Sequence, residues 1–195
     1  MIYSGHADGT VRSSAYPSRR AGSDHCFRSP TPRDAGAVAA LIAASPPLDG
    51  NSLYCNLLQC THFAGTCIIA SRDGEIDGWI SGYRPPDQPE ALFVWQVAVH
   101  ERARGAGLGV AMLEALFERN DMSDARWLKT SVTPSNRASL RMFEKFAAKR
   151  GAPMRREPWF DAAAHFGGRH ESEDLYSIGP LPIPMPTQST RKESR

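Results

Sequence analysis

The sequence predicts an α/β protein with a mixed, mostly antiparallel central sheet flanked by helices. Segments with strand and helix periodicity alternate along residues 26–180. The turn Arg72-Asp73-Gly74 joins two of the strands as a hairpin, so these two strands pair antiparallel. The apolar run from Leu92 to Val99, interrupted only by Gln96, is typical of a central strand covered on both faces.

Length and composition indicate one domain between two tails. The chain has 195 residues, of which 41% are hydrophobic and 23% charged, which suits a single domain with its own core. Residues 1–24 show no periodicity, and prolines alternate from Pro180 to Pro186. Such segments favour neither helix nor sheet interior. We therefore expect an ordered domain at 25–180 with disordered tails at 1–24 and 181–195.

The first half of the domain takes its boundaries from turn and breaker residues. Pro46-Pro47 ends the first helix, and the hairpin turn separates two strands. Strict alternation along the central strand would place Phe93, Trp95, Val97 and Val99 on one face. The predicted elements are strands at 27–28, 66–70, 75–83 and 92–99 and helices at 34–44 and 52–62.

The second half opens with a Gly-rich turn that leads into a strongly apolar helix. A later helix begins near Ser135, which we expect to be its N-cap. Two short strands close the domain. The predicted elements are helices at 108–119 and 135–149 and strands at 127–133, 154–159 and 174–178.

Charge and hydropathy argue against nucleic-acid and membrane partners. The formal net charge is +2, but the first 25 residues carry +1 and residues 187–195 carry +2, which leaves −1 for the domain. A nucleic-acid binder would more often carry a positive face on the fold itself. The apolar stretch 91–99 is too short to span a bilayer, and the first residues lack a signal-peptide pattern. We expect a cytoplasmic protein.

The four cysteines do not have the spacing of common zinc sites. Cys26, Cys55, Cys60 and Cys67 include no C-x-x-C pair, although His62 near Cys60 leaves a metal site conceivable. We expect small, reduced thiols and no metal.

The loop after the central strand carries the clearest chemical signal. Gly105, Gly107 and Gly109 lie between a strand and a helix, where free backbone N–H groups and the helix dipole favour an anion such as a pyrophosphate. No Lys-Ser or Lys-Thr follows, which argues against a nucleoside-triphosphate loop. The G-x-G-x-G spacing in mid-chain also differs from a dinucleotide-binding fingerprint.

Arg104-x-x-Gly107-x-Gly109, followed by Asn136-x-x-Ser139-x-x-x-Phe143, resembles the cofactor motifs of the GNAT family of N-acetyltransferases. This resemblance implies an acyl-CoA N-acyltransferase fold that uses acetyl-CoA without a metal. It also implies that the central strand splays from its neighbour and that the acetyl group lies in the gap. The residues that it assigns to coenzyme A are Val97, Ala98, Val99, Arg104, Gly105, Ala106, Gly107, Leu108, Gly109, Val110, Asn136 and Phe143.

Longer strings resemble the L-2,4-diaminobutyrate acetyltransferases within that family. They include Ser45-Pro46-Pro47-Leu48-Asp49-x-Asn51-Ser52-x-Tyr54, Phe93-Val94-Trp95-Gln96-Val97-Ala98-Val99-His100 and Thr130-x-Val132-Thr133-Pro134-Ser135-Asn136. The likeness covers about 27–180. It implies acetylation of the γ-amine of L-2,4-diaminobutyrate in ectoine synthesis, and a homodimer.

A diaminobutyrate substrate brings two ammonium groups and one carboxylate, so its site needs acidic residues and a donor. Asp49, Glu171 and Glu173 are the candidates for holding the amines and for the general base, and the sequence does not rank them. His170 is a further candidate for either role. Trp95 would form an apolar or cation–π wall, Arg84 would pair with the carboxylate, and Tyr54 would also line the site.

One position departs from the family pattern. Many relatives carry Tyr where this chain has Phe143, and the Tyr hydroxyl protonates the leaving thiolate. Any acid here must be Tyr54, Tyr176 or water.

Three alternatives remain open from the sequence. The first is the same fold acting on another amine, such as a polyamine, an aminoglycoside or a protein N-terminus. The second is a non-catalytic acyl-CoA-binding module, and the third is a nucleic-acid binder that uses its basic tails.

Overall fold

A single seven-stranded sheet organises residues 25–182, the part of the chain that the computed structural model describes. The strands run in the order β1-β2-β3-β4-β5-β7-β6, and only β4 and β5 pair in parallel. The predicted fold class is confirmed. The strands are β1 Cys26–Arg28, β2 Ile68–Arg72, β3 Glu75–Tyr83, β4 Ala91–Val99, β5 Trp127–Val132, β6 Met154–Phe160 and β7 Glu173–Ile178, and the helices are α1 Ala35–Ala43, α2 Leu53–Gln59, α3 Leu108–Phe117 and α4 Arg137–Arg150.

The domain extends slightly past its expected end. Leu181 is buried in the core, and its N–H donates to the carbonyl of Arg126 at 2.7 Å. The ordered domain therefore continues beyond residue 180. The expected disorder of 1–24 and of 183–195 concerns residues outside the described range.

Helices cover both faces of the sheet and create two hydrophobic clusters. The first cluster lies under α3 and α4, and the second lies under α1. Central members of the first are Ile68, Ile80, Leu92, Met112, Leu116 and Phe146, and those of the second are Val38, Ile42, Ile69, Trp79 and Ala98. Because β3 and β4 contribute to both clusters, they are covered on both sides, as the apolar run of β4 predicts.

A β-bulge changes the expected faces of β4. Val94 pairs with Gly82 and Gln96 pairs with Ser81, so Trp95 is an extra residue without a partner of its own on β3. Before the bulge the even-numbered residues face the first cluster, whereas after it Val97 and Val99 do. The prediction that Phe93, Trp95, Val97 and Val99 share one face is therefore wrong.

The N-cap of α4 also differs from the predicted one. Asn136, not Ser135, is the N-cap, because its Oδ1 accepts a hydrogen bond from the N–H of Ser139 at 3.1 Å. The hydroxyl of Ser135 is used elsewhere, since it donates to Glu171 Oε1 at 2.7 Å.

The most important feature for the site is the divergence of β4 and β5. Their parallel pairing extends only over Ala91–Phe93 and Trp127–Lys129. Beyond these residues the two strands separate, which leaves an opening in the middle of the sheet. This is the splay that the family resemblance implies.

The buried cysteines are unreactive thiols. Cys60 and Cys67 are fully buried and unpaired, and burial raises their pKa to about 11 and about 12. Within residues 25–182, no three His, Cys, Asp or Glu side chains are grouped closely enough to hold a metal ion. No helix in the same range has both the length and the apolar character needed to cross a membrane.

A buried carboxylate anchors the end of β4. The fully buried Asp77 accepts hydrogen bonds from His25 Nε2 at 2.8 Å and Arg102 Nε at 2.5 Å, and Arg72 lies 3.2 Å away. Burial alone would raise the pKa of Asp77, but the bonds from Arg102 and His25 outweigh it, and the pKa lies below its usual value. Because Arg102 belongs to the turn that follows β4, this network ties the Gly-rich loop to the sheet.

Replacing Asp77 with Asn is expected to lower the free energy of unfolding by roughly 2 to 4 kcal/mol, because two arginines lose a buried counter-charge. A carboxyl with a lowered native pKa stabilises the fold above its unfolded pKa of about 3.9, and this contribution is lost as the pH falls through the native pKa. The variant should therefore lose less stability than the wild type on acidification. Urea unfolding at pH 7 and at lower pH measures both effects.

Glu75→Gln is the matched control for Asp77→Asn. Glu75 pairs with the same Arg102 at 2.5 Å, but its side chain is 68% exposed. This change should cost less than about 1 kcal/mol. Equal losses in the two variants would contradict the anchoring role of Asp77.

Candidate active site

The divergence of β4 and β5 opens into a cavity of about 1030 Å³. One side is formed by β4 from Phe93 to Val97 and the opposite side by β5 with the residues that follow it. The segment around Asp49 and the connection between β6 and β7 form the remaining walls. The cavity thus lies at the strand splay, where a substrate can reach the backbone of β4.

Two backbone amides of β4 point into this opening. The N–H of His100 donates to the carbonyl of Asp77 on β3 at 2.8 Å. Hydrogen bonding alternates along an antiparallel ladder, so the N–H groups of Val97 and Val99 point away from β3, toward the splay. Arg104 Nε donates to the carbonyl of Val99 at 2.9 Å, which fits this direction.

The turn before α3 presents a row of unused donors. Within residues 25–182, no protein acceptor takes the N–H groups of residues 105–110. Gly105 and Gly107 have positive φ angles of 80° and 79°, which favour glycine and turn these groups outward. Consecutive free N–H groups at a helix start are suited to an anion such as a diphosphate.

The start of α3 lies beside the cavity. A Cβ at Gly109 would collide with the Met142 sulfur of α4, and its position is 4.0 Å from Val97 Cγ1. The absence of a side chain at Gly109 therefore lets α3 approach α4 and β4 closely. This contact places the free N–H groups next to the splay, although residues 105–110 do not line the cavity itself.

Side chains at the start of α4 line the cavity next to the start of α3. Asn136, Ser139 and Phe143 line the cavity. The Oδ1 of Asn136 caps the helix, and within residues 25–182 its amide Nδ2 has no acceptor. Phe143 is almost fully buried and presents only part of its ring.

A buried amide network fixes the wall that carries Asp49. Gln96, which is 6% exposed, donates through Nε2 to the carbonyl of Asp49 at 2.9 Å. Its Oε1 accepts from Asn51 Nδ2 at 2.6 Å. Gln96, the polar residue that interrupts the apolar β4, thus holds the segment 49–51 against the sheet.

The predicted acidic residues belong to the walls of this cavity. Asp49, Glu171 and Glu173 all line it, together with His170 and Trp95. Glu173 is half-buried at the start of β7, whereas Asp49 and Glu171 are exposed. Glu171 already accepts the hydroxyl of Ser135, and His170 packs on Phe166 with ring centroids 4.8 Å apart. The arrangement is suited to a substrate with more than one amine.

Of the predicted site residues outside the turn before α3, Arg84, Tyr54, Ala98 and Val99 do not line the cavity. Arg84 donates to Asp124 at 2.6 Å and to the carbonyls of Asp121 and Pro89, so it joins loops instead of binding a substrate. Tyr54 is 70% exposed on α2, outside the lining. Ala98 packs in the second cluster because the bulge turns it away. The structure thus places Arg84 and Tyr54 outside the cavity, and Ala98 on the opposite side of the sheet.

Two further assignments need correction. The N–H of Arg104 donates to the carbonyl of Glu101 at 3.1 Å, so the row of free donors begins at Gly105. Tyr176 is buried in the first cluster, where burial raises its pKa, and it does not line the cavity. Among the described tyrosines, Tyr83 is the one in the lining, and the sequence patterns did not single it out.

The sequence reasoning also missed several wall residues. Hydroxyl side chains from β5 and the turn after it line the cavity, and aromatic residues from β6 and its connection to β7 face them. They are Thr130, Ser131, Thr133, Trp159, Phe160 and Phe166. The usable signal for the first of these is a polar residue on an otherwise apolar face, because Thr130 alternates with Leu128 and Val132 on the buried face of β5.

Comparisons with known proteins agree with this geometry. The profile of the acetyltransferase (GNAT) family matches residues 37–148. The L-2,4-diaminobutyric acid acetyltransferase of Bordetella parapertussis is 48% identical over 159 residues, which cover 81% of this chain and 86% of the relative. The enzyme of the same name from Vibrio parahaemolyticus is 45% identical over 78% of this chain and 84% of its own.

A solved structure supports the same family assignment. The chain resembles a diaminobutyrate acetyltransferase from Paenibacillus lautus, solved in complex with L-2,4-diaminobutyric acid and coenzyme A. The TM-score is 0.79 at 38% identity, over 85% of this chain and all of that one. The resemblance found in the motifs is thereby confirmed: the chain belongs to the acetyltransferase (GNAT) family.

Proposed function

We propose that this protein transfers the acetyl group of acetyl-CoA to the γ-amine of L-2,4-diaminobutyrate. The observation that carries the proposal is the cavity at the splay of β4 and β5, which is lined by three carboxylates and lies beside the free backbone donors before α3. The identity to named diaminobutyrate acetyltransferases over most of their length supports the choice of substrate. The product is N4-acetyl-L-2,4-diaminobutyrate.

The residues of the coenzyme A side fit this co-substrate. The N–H groups of residues 105–110 hold the diphosphate, and Asn136 and Phe143 border the pantetheine arm. Acetyl-CoA supplies the acetyl group as an activated thioester. The N–H of Val97, or that of Val99, donates a hydrogen bond to the thioester carbonyl and so stabilises the negative charge that develops on its oxygen.

On the amine side, Glu173 is our choice for the general base. The γ-ammonium must lose a proton before it can attack, and a carboxylate within hydrogen-bond reach can accept that proton. Glu173 is the half-buried member of the three, and within residues 25–182 its carboxylate accepts no hydrogen bond. Asp49 and Glu171 are then left to hold the α-ammonium, and Trp95, which is 50% exposed, forms the adjoining wall.

The leaving thiolate departs without a protein acid in this proposal. Phe143 has no proton to give, Tyr54 and Tyr176 do not line the cavity, and the ring of Tyr83, which does line it, packs on Phe93 with centroids 5.3 Å apart. Solvent that enters the open cavity protonates the sulfur.

We also propose a cytoplasmic homodimer that does not act on nucleic acid. Four free cysteines are suited to a reducing compartment. Leu53, Tyr54 and Phe63 are large, exposed apolar residues on α2 and just after it, and they support self-association. Sedimentation of the purified protein gives the oligomeric state.

Initial rates with acetyl-CoA and a panel of amines test the proposed reaction. The panel contains L-2,4-diaminobutyrate, spermidine, an aminoglycoside and a peptide with a free N-terminus, and release of coenzyme A is followed by chromatography. We expect the highest kcat/KM with L-2,4-diaminobutyrate. A higher value for any other member would favour the same fold with another substrate.

A further inference from the structure

The loss of Arg84 as a candidate leaves the substrate carboxylate without an assigned partner. Arg169, in the connection between β6 and β7, lines the cavity. Among the described residues that line it, Arg169 is the one arginine, and there is no lysine. This position was not apparent from any sequence motif.

We propose that Arg169 binds the α-carboxylate of the amino-acid substrate and thereby selects α-carboxylated diamines over simple diamines. The inference rests on the proposed function. It adds a specificity-determining residue that acts through binding and takes no part in the proton transfer.

The charges in the cavity support this assignment. Asp49, Glu171 and Glu173 all line the cavity, and their negative charges attract ammonium groups but repel a carboxylate. A substrate with two ammonium groups and one carboxylate therefore needs a cation in the same cavity. The guanidinium of Arg169 supplies this charge, and its paired N–H groups match both oxygens of a carboxylate.

The guanidinium is also free to act. Within residues 25–182, it forms neither an ion pair nor a hydrogen bond, whereas Arg28, Arg84, Arg102 and Arg150 all have acidic partners. Arg169 is exposed, so solvent can reach its charge before a substrate binds. Binding a carboxylate would then break no existing ion pair.

The segment that carries Arg169 is well ordered by local hydrogen bonds. Asp161 accepts from the N–H groups of Ala163 and Ala164, both at 2.9 Å. The N–H of Gly168 donates to the carbonyl of Ala162 at 2.8 Å, and that of Arg169 donates to Phe166 at 3.1 Å. A long side chain on such an anchored turn needs little backbone ordering when it binds.

The test compares L-2,4-diaminobutyrate with 1,3-diaminopropane, which is the same molecule without the carboxylate. The kcat/KM ratio of the two amines is measured for the wild type, Arg169→Ala and Arg169→Lys. We expect the wild type to prefer diaminobutyrate, Arg169→Ala to lower this ratio about 10- to 100-fold through KM, and Arg169→Lys to restore part of it. Arg155→Ala, which removes an exposed guanidinium outside this cavity, should leave the ratio unchanged.

The wild type and the variant test different claims. A wild-type protein that acetylates neither amine, or prefers the one without a carboxylate, would overturn the proposed function and this inference with it. A wild type that prefers diaminobutyrate, with the same ratio in Arg169→Ala, would overturn only the assignment to Arg169. Folding of each variant is checked by thermal unfolding.

Discussion

Replacing Glu173 with Gln is expected to lower kcat about 10²- to 10⁴-fold while acetyl-CoA still binds. The amide has nearly the same shape as the carboxylate but cannot accept a proton from the γ-ammonium. Glu173 begins β7, beside Asp174, which pairs with Val132 on β5, so the side chain is carried by the neighbour of the strand that borders the opening. Saturating kinetics measure kcat, and calorimetry measures the binding of acetyl-CoA.

Two comparisons make the result specific to Glu173. Glu157→Gln changes an exposed glutamate of β6 outside this cavity and should leave kcat unchanged within about twofold. Glu171→Gln changes a carboxylate that lines the same cavity and should act mainly on KM for the amine. A larger fall of kcat in Glu171→Gln than in Glu173→Gln would exchange the roles that we give to the two residues.

Replacing Gly107 with Val is expected to weaken coenzyme A binding about 30-fold or more. Gly107 has a φ of 79° directly before α3, and a β-branched residue avoids this region. The loop can relieve the strain only by changing its backbone, and this would redirect the N–H groups of residues 105–110. Titration calorimetry with coenzyme A gives the change in Kd.

Gly36→Val is the matched control for this substitution. Gly36 lies in α1, where its φ is ordinary and the space around an added Cβ is open. We expect coenzyme A affinity to be unchanged and stability to be little affected. If Gly107→Val keeps both its affinity and its stability, the backbone amides before α3 do not form the diphosphate site.

Local signals in the sequence predicted those parts of the fold that depend on neighbouring residues. The β3 strand has the predicted bounds, because the Asp73-Gly74 turn fixes where it starts. The Gly-rich turn likewise follows a strand and opens a helix, as predicted. In both cases a few adjacent residues determine the backbone conformation.

Features that depend on distant contacts were not predictable in the same way. The hydrophobic pattern of the sequence does not reveal the bulge at Trp95. The reason is that β4 is apolar on both faces, so a shift of one residue still buries apolar side chains. Arg84 looked free, but Asp124, forty positions later in the chain, pairs with it. The position of β7 between β5 and β6 brings Glu173 to the opening, and chain order alone does not reveal this insertion.

The position of the new amide in the product distinguishes transfer to the γ-amine from transfer to the α-amine. Acetyl-CoA labelled with ¹³C at the carbonyl is incubated with L-2,4-diaminobutyrate and the wild-type protein, and the product is examined by two-dimensional NMR. Transfer to the γ-amine predicts a correlation from the labelled carbonyl to the methylene protons next to the γ-nitrogen. A correlation to the α-proton instead, or no labelled amide with folded protein, would contradict it.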